Sequence, residues 1–296
     1  MLTTIQDAGR WGYQDRGMPI AGPMDPYSQR AANLLVGNDA GAAVLEVTLL
    51  GPELEFDSSS MVAVSGAEFA MTLDGRPLPW HTAVEVNPGG SLKFGERIRG
   101  ARAYVAVSGG VLVPPVMGSR ATHVASRTGG LEGRALKVGD VLPIGELATG
   151  DRIRPKPPAL PEGTAHVRVL PGSHISRFGT GALDRLASLV FRVSPQSNRI
   201  GYRLEGARIE VDSYYTELIS VSMPLGGIQV PRSGEPILLM ADRGTTGGYP
   251  VIAVAITADL PIAGQLAPGD SLNFVPCTFE EADHALRIQD AALVGS

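Results

Sequence analysis

Short apolar runs broken by glycine and proline dominate this chain, and long helical stripes are scarce. Ala43–Leu49, Met61–Ser65, Phe69–Leu73, Ala83–Val86 and Ala103–Val107 run apolar or alternate between turn residues, which predicts strands. The pattern resumes at His166–Leu170, Val190–Val193, Ser213–Val221, Pro236–Ala241 and Val251–Thr257, with the last two expected to pair across the loop that separates them. Pro236–Ala241 carries no polar position, so it reads as a strand covered on both faces. Helices are few. Asp25 before Pro26 is an N-cap and first-turn signal for a helix Pro26–Val36 that stops at Gly37. Gly181–Ser188 predicts a short helix, and Thr278-Phe279-Glu280-Glu281 is a capping box opening a final helix to about Gln289.

Two echoes suggest related halves. Met61–Ala67 (MVAVSGA) resembles Tyr104–Gly110 (YVAVSGG), and a glycine turn followed by alternating apolar residues recurs at Pro88–Phe94, Val138–Ile144 and Pro268–Phe274, each predicting a hairpin. Pro155, Pro157, Pro158 and Pro161, interleaved with Asp151, Arg152, Arg154 and Lys156, predict an extended, solvated connector over 151–164. The expected organisation is therefore a β-rich subdomain over 1–150, the connector, and a second β-rich subdomain with a terminal helix over 165–296.

Composition sharpens this picture. In 296 residues, 44% hydrophobic content alongside 37 Gly and 23 Pro describes a turn-rich globular chain, and 5% aromatics leaves the core to aliphatic side chains. A net charge of −5 argues against a nucleic-acid partner. No apolar run approaches the roughly 20 residues that cross a bilayer, and the N-terminus lacks a secretory pattern, so no membrane association and a cytoplasmic location are expected. The lone cysteine, Cys277, excludes an internal disulfide.

Familiar catalytic signatures fail. Gly244–Gly248 lacks the lysine and spacing of a phosphate-binding Walker loop, and Val107-Ser108-Gly109-Gly110 is not a nucleophile elbow. The five histidines lack zinc spacing, so no metal is expected, and His123 reads as a surface residue. What remains is polar chemistry on glycine-rich loops. Asp242, at the exit of the buried strand, is either a turn former or a carboxylate at a pocket rim. Thr245, Thr246 and the N–H groups of Gly247, Gly248 and Tyr249 are candidate donors to an oxyanion. Arg199, Tyr202 and Arg203 form a second cluster in which Arg199 is the preferred anion ligand, the alternative being a structural ion pair. Ser108 and Gly109 either contribute to the pocket or permit close packing; Gln14 and Asp15 are equally explained as turn residues.

Gly226–Pro250 (GGIQVPRSGEPILLMADRGTTGGYP) resembles the KipA, or allophanate hydrolase subunit 2, family, which includes the C-type subunit of 5-oxoprolinase and half of the carboxyltransferase region of urea carboxylases. The resemblance extends over Thr3–Asp25, Asn33–Asn38, Tyr104–Arg120, Gly130–Gly139 and Ser197–Leu204, in family order. Family members usually carry a short strand before TTIQD, so either a shortened strand or a misassigned start is expected at Met1. Asn198 stands where the family commonly has Asp, which removes a charge and with it a candidate base.

The resemblance implies a mainly β protein of two cyclophilin-like barrel subdomains with a few short helices. It also implies a KipI, or allophanate hydrolase subunit 1, type partner. The first functional expectation is a subunit of an ATP-dependent 5-oxoprolinase that opens the lactam of 5-oxoproline to glutamate, active only as part of a complex with an oxoprolinase catalytic subunit. ATP would be bound by the complex, Gln229 would position the lactam amide, Arg199 and the Thr245–Tyr249 loop would hold anionic groups, and Asp242 would manage a proton. The alternatives are a urea carboxyltransferase or allophanate-linked component using biotin carried elsewhere, since no biotin-acceptor motif is present, and a non-enzymatic regulator antagonising a KipI-like kinase inhibitor.

Overall fold

The computed structural model describes residues 2–211 and 218–295. Two compact units emerge, and they do not follow chain order strictly. One comprises Met1–Trp11, Ala21–Leu160 and Gln289–Ser296; the other comprises Gly12–Ile20 and Pro161–Ile288.

The first unit holds strands β1 (Leu2–Gln6), β2 (Val44–Thr48), β3 (Glu53–Phe56), β4 (Ser60–Leu73), β5 (Arg76–Pro77), β6 (Ala83–Val86) and β7 (Gly90–Val107), with helix α1 (Pro26–Leu35). Their order is β1-β2-β7-β4-β5, with β3 added to β7 and β6 to β4. Runs predicted as separate strands are continuous here. Met61–Ser65 and Phe69–Leu73 are one strand because irregularities between Gly66 and Met71 bend the β4–β7 ladder without ending it. The echoed segments are neighbours, with Val62 opposite Val107 and Val64 opposite Val105. Ile5, Val47, Val62, Val64, Leu92 and Val105 lead its fully buried aliphatic core.

Helix α1 begins as its sequence predicts. Asp25 sits in extended backbone, its Oδ1 accepting from Ser28 N, with Pro26 in the first turn. A buried polar network fixes where that happens: Tyr104 Oη donates to Glu46 Oε2 at 2.8 Å, the same oxygen accepts from Met24 N, and Asp25 N donates to Tyr104 Oη. Burial, with Glu46 and Asp25 nearby, drives the Tyr104 phenol well above its ordinary range, so it stays a neutral donor. Ala32 and Leu35 pack with Val44 and Tyr104, while Tyr27 and Ala31 pack against Leu293.

The first sequence block meets a later one in this unit. Asp7 Oδ1 accepts from Ser119 Oγ at 2.6 Å, and Arg10, wholly buried, donates from Nε to Val116 O and from Nη2 to Ala121 O. Desolvation lowers the Arg10 guanidinium from its ordinary value, with Asp7 opposing it. Gln14 and Asp15, which belong to the other unit, lie in the one-turn 3-10 helix Gln14–Arg16.

Several expectations for this unit are corrected. His123 is buried rather than on the surface, pinned by backbone bonds to Thr128 and by its Nδ1 against Ser126 Oγ at 2.6 Å. Val138–Ile144 forms a turn with only an isolated bridge, Val111 to Ile144, in place of a hairpin. There Arg134 clamps both oxygens of Asp140 and holds its carboxyl down to about 2. The connector is docked as well as solvated over its first half: Ile153 N donates to Leu34 O, Lys156 N to Ala292 O, and Tyr27 Oη to Lys156 O, while Asp151, Arg152, Arg154 and Lys156 stay exposed.

His81 joins the same connector, its Nε2 against Pro155 O at 3.0 Å and its Nδ1 against Ser65 Oγ at 2.9 Å. The carbonyl requires an N–H at Nε2, and the hydroxyl then donates to Nδ1, which selects the neutral ring. Burial lowers its pKa from the ordinary 6.5. The unfolded chain therefore binds the extra proton first, and stability falls as pH drops through 6.5, levelling below the folded value. Denaturant midpoints measured between pH 8 and 5 should show this decline, and His81→Gln should flatten it.

The second unit is a closed barrel of β8 (Ala165–Pro171), β9 (Val190–Val193), β10 (Gly201–Gly206), β12 (Gly227–Gln229), β13 (Ile237–Leu239), β15 (Val251–Ala255) and β16 (Ser271–Pro276). A separate two-stranded ribbon joins β11 (Val221–Ser222) to β14 (Thr246–Gly247). Helices α2 (Ala182–Ala187), α3 (Leu260–Gly264) and α4 (Phe279–Leu293) complete the elements. The mainly β expectation holds, with ladder closure in this unit; the first unit keeps a branched sheet. The capping box is reciprocal, Thr278 N to Glu281 Oε2 and Glu281 N to Thr278 Oγ1, and α4 runs four residues past the predicted end.

One predicted pairing fails. β13 and β15 are not neighbours: β12 lies between them, pairing with both. The eleven-residue connection 240–250 is long enough to cross over an intervening strand, and β14 in its middle bonds to β11 instead of tightening into a hairpin. Of the predicted strand Ser213–Val221, residues 213–217 lie outside the described residues.

Candidate active site

The loop that follows β13 is built on the barrel register. β10 and β13 run antiparallel with Gly201 opposite Leu239, so the residue two before Gly201 and the one three after Leu239 come together. Asp242 N donates to Arg199 O at 2.8 Å, and the side chains follow: Arg199 Nε reaches Asp242 Oδ2 and Nη2 reaches Oδ1, both at 2.9 Å. Each residue is only 6% exposed, so this is a buried, bidentate ion pair in which neither group is free. Asn198 serves the same turn, its Oδ1 accepting from Ile200 N and Gly201 N. Gly201 is required by space, because a Cβ there would stand 2.9 Å from Ile237 Cγ2.

Met223 is the hub of the loop. Its N donates to Thr245 O at 3.0 Å, its O accepts from Arg243 Nε at 2.9 Å, and its Sδ lies 2.9 Å from Gln229 Nε2. Gln229 Nε2 also reaches Tyr249 O at 3.4 Å. A Cβ on Gly247 would sit 2.9 Å from Gln229 Nε2 and 3.0 Å from Met223 Sδ, so this glycine permits close approach of loop and amide. None of Gly244, Gly247 and Gly248 adopts positive φ, and their glycine character is not that of a left-handed anion nest. Thr246 and Tyr249 are exposed, and Thr245 and Gly247 partly so.

The other sequence candidates fall elsewhere. Tyr202 is buried in the barrel with its hydroxyl toward Leu266 O at 3.4 Å. Arg203, the next residue on β10, faces a cavity of about 350 Å³ with Ser194, Glu205, Glu235 and Tyr249. Ser108 and Gly109 belong to the first unit, where Ser108 Oγ accepts from Ala148 N and Gly109 N donates to Asn38 Oδ1. The structure thus gathers Gln229, Asp242, Thr245, Thr246, Gly247 and Arg199 around one loop, while Ser108 and Gly109 close a strand end.

Arg243 and Met223 are the residues that sequence reasoning missed. Arg243 is half-buried, and desolvation lowers its pKa from the ordinary arginine value. Its only signal in the sequence is its position after Asp242. Among the described residues no group of three His, Cys, Asp or Glu side chains could hold a metal ion, and no helix is long and apolar enough to cross a membrane.

Comparison with known proteins places this arrangement. Residues 16–276 match the carboxyltransferase domain, subdomains A and B. The C-type subunit of Escherichia coli 5-oxoprolinase is 41% identical over 95% of this chain and 90% of its own length. The urea amidolyase of Saccharomyces cerevisiae is 34% identical over 98% of this chain, which spans 17% of that protein. The crystal structure of K. lactis urea amidolyase superposes with a TM-score of 0.92 at 32% identity, covering 99% of this chain and 19% of that one. With the sequence, the barrel and most of the chain length all in agreement, the protein belongs to the carboxyltransferase domain family of subdomains A and B.

Proposed function

We propose that this chain is a subunit of an ATP-dependent 5-oxoprolinase complex that opens the lactam of 5-oxoproline to glutamate. The observation that carries the reading is end-to-end similarity to the C-type subunit of 5-oxoprolinase, 90% of whose length the chain covers. The partners are a KipI-type subunit and an oxoprolinase catalytic subunit, ATP is bound by the complex, and the complex works in the cytoplasm. In this reading the Gln229 amide meets the lactam amide, and Thr245, Thr246 and the backbone to Tyr249 donate to the oxyanion that develops as the carbonyl is attacked. The Arg199–Asp242 pair sets the loop that carries them.

A second reading is favoured by the structural match to urea amidolyase, which covers 99% of this chain. There the chain acts as a carboxyltransferase component receiving its carboxyl group from biotin on another protein. Glutamate release from 5-oxoproline and ATP, assayed with this chain, its KipI-type partner and the oxoprolinase catalytic subunit, each omitted in turn, decides between them. Turnover that depends on this chain supports the oxoprolinase. An assembled complex that releases no glutamate, yet moves carboxylate from carboxybiotin to urea, gives the second reading.

A further inference from the structure

We propose that Arg243 is the anion-recognising group of the 243–249 loop, and that this site takes a small molecule carrying a carboxylate beside an amide or lactam. This rests on the reading of the loop as a substrate site. Among the guanidinium groups of Arg199, Arg203 and Arg243, two are already committed. Arg199, the residue the sequence favours, is spent on both oxygens of Asp242 at 2.9 Å, and both partners are buried. Arg203 shares its cavity with Glu205 and Glu235, so an incoming anion there meets two like charges. Arg243 has a different environment. Its Nε is fixed by Met223 O, which orients the guanidinium plane, and among the described residues no carboxylate is paired with it.

Position supplies the rest. Met223 connects Arg243 through its carbonyl, Gln229 through its sulfur and Thr245 through its N–H, so a cationic fork and a carboxamide stand on either side of one residue. A guanidinium with its two terminal nitrogens open matches a carboxylate in a bidentate fork, and a primary amide both donates to and accepts from another amide. Gln229 Nε2 is held at 2.9 Å from Met223 Sδ and 3.4 Å from Tyr249 O, and Gly247 lets the loop pack closely against it. A half-desolvated cation also binds an anion more strongly than one in water.

Equilibrium dialysis of the assembled complex tests this, using 5-oxoproline, its carboxamide and glutarate as probes. The wild type should prefer 5-oxoproline to the carboxamide by about tenfold or more, the range for a charge-assisted contact. Arg243→Gln should lose that preference while binding the carboxamide as before, and Arg243→Lys should restore part of it. An unchanged melting midpoint verifies the fold of each variant. Glutarate separates the two ideas: if it binds in an Arg243-dependent way and 5-oxoproline does not bind, the anion site stands and the oxoprolinase reading falls. Retention of the full carboxylate preference in Arg243→Gln, or failure of the wild type to bind either carboxylate, overturns the proposal.

Discussion

Asp242→Ala should destabilise the second unit by about 3–5 kcal/mol, read as a fall in denaturant midpoint at constant slope. The size follows from what remains behind. Removing the carboxylate leaves the Arg199 guanidinium only 6% exposed, with Nε and Nη2 stripped of the oxygens they now reach at 2.9 Å. Against a typical domain stability of about 5–15 kcal/mol, that loss is a large fraction. Arg199→Leu combined with Asp242→Leu should recover most of it, because replacing both charges removes the desolvation cost along with the attraction. The same pair of variants tests the proton role proposed for Asp242. If the doubly apolar protein folds and turns over, the ion pair positions the loop; if it folds and kcat is lost with KM retained, the carboxylate takes part in chemistry.

Gly109→Ala should be nearly as costly, about 3 kcal/mol or more, although Gly109 carries no side chain to lose. Two causes add. Its φ is +93°, a conformation L residues rarely adopt, and a Cβ there would lie 2.4 Å from the carbonyl oxygens of both Gly145 and Glu146. These contacts are backbone on backbone, so neither side can turn aside. The expected readout is a lower melting midpoint for the first unit. A Gly109→Ala protein with full stability and lost substrate binding would instead place this residue at the site.

The elements the sequence announced are those whose causes are local. Asp25 with Pro26, Gly37, and Thr278 with Glu281 specify helix ends through bonds made within a few residues, and these ends appear where the sequence puts them. Strand identity was legible where an apolar run is continuous, as at Pro236–Ala241, which has no polar face to offer water, whereas the barrel strands Gly201–Gly206 and Gly227–Gln229 went unannounced because glycine and polar residues interrupt them. Partnership was not. The pairing predicted between β13 and β15 fails because strand order depends on which distant segment, here Gly227–Gln229, inserts between them. His123 looked like a surface residue because nothing adjacent to it in sequence marks the turn that buries it.

The candidate site divides along the same line. By itself the sequence determined the chemistry available: a glycine- and threonine-rich loop after a buried strand, an amide at Gln229, and arginines at 199, 203 and 243. Only the tertiary structure decided which of these groups is engaged. A register that sets Gly201 opposite Leu239 brings Arg199 and Asp242 into a closed pair, while Met223 holds Arg243 through its carbonyl and Gln229 through its sulfur. The physical reason is that a charge is free or neutralised according to its neighbours within a few ångströms, and those neighbours lie 43 positions away in the chain.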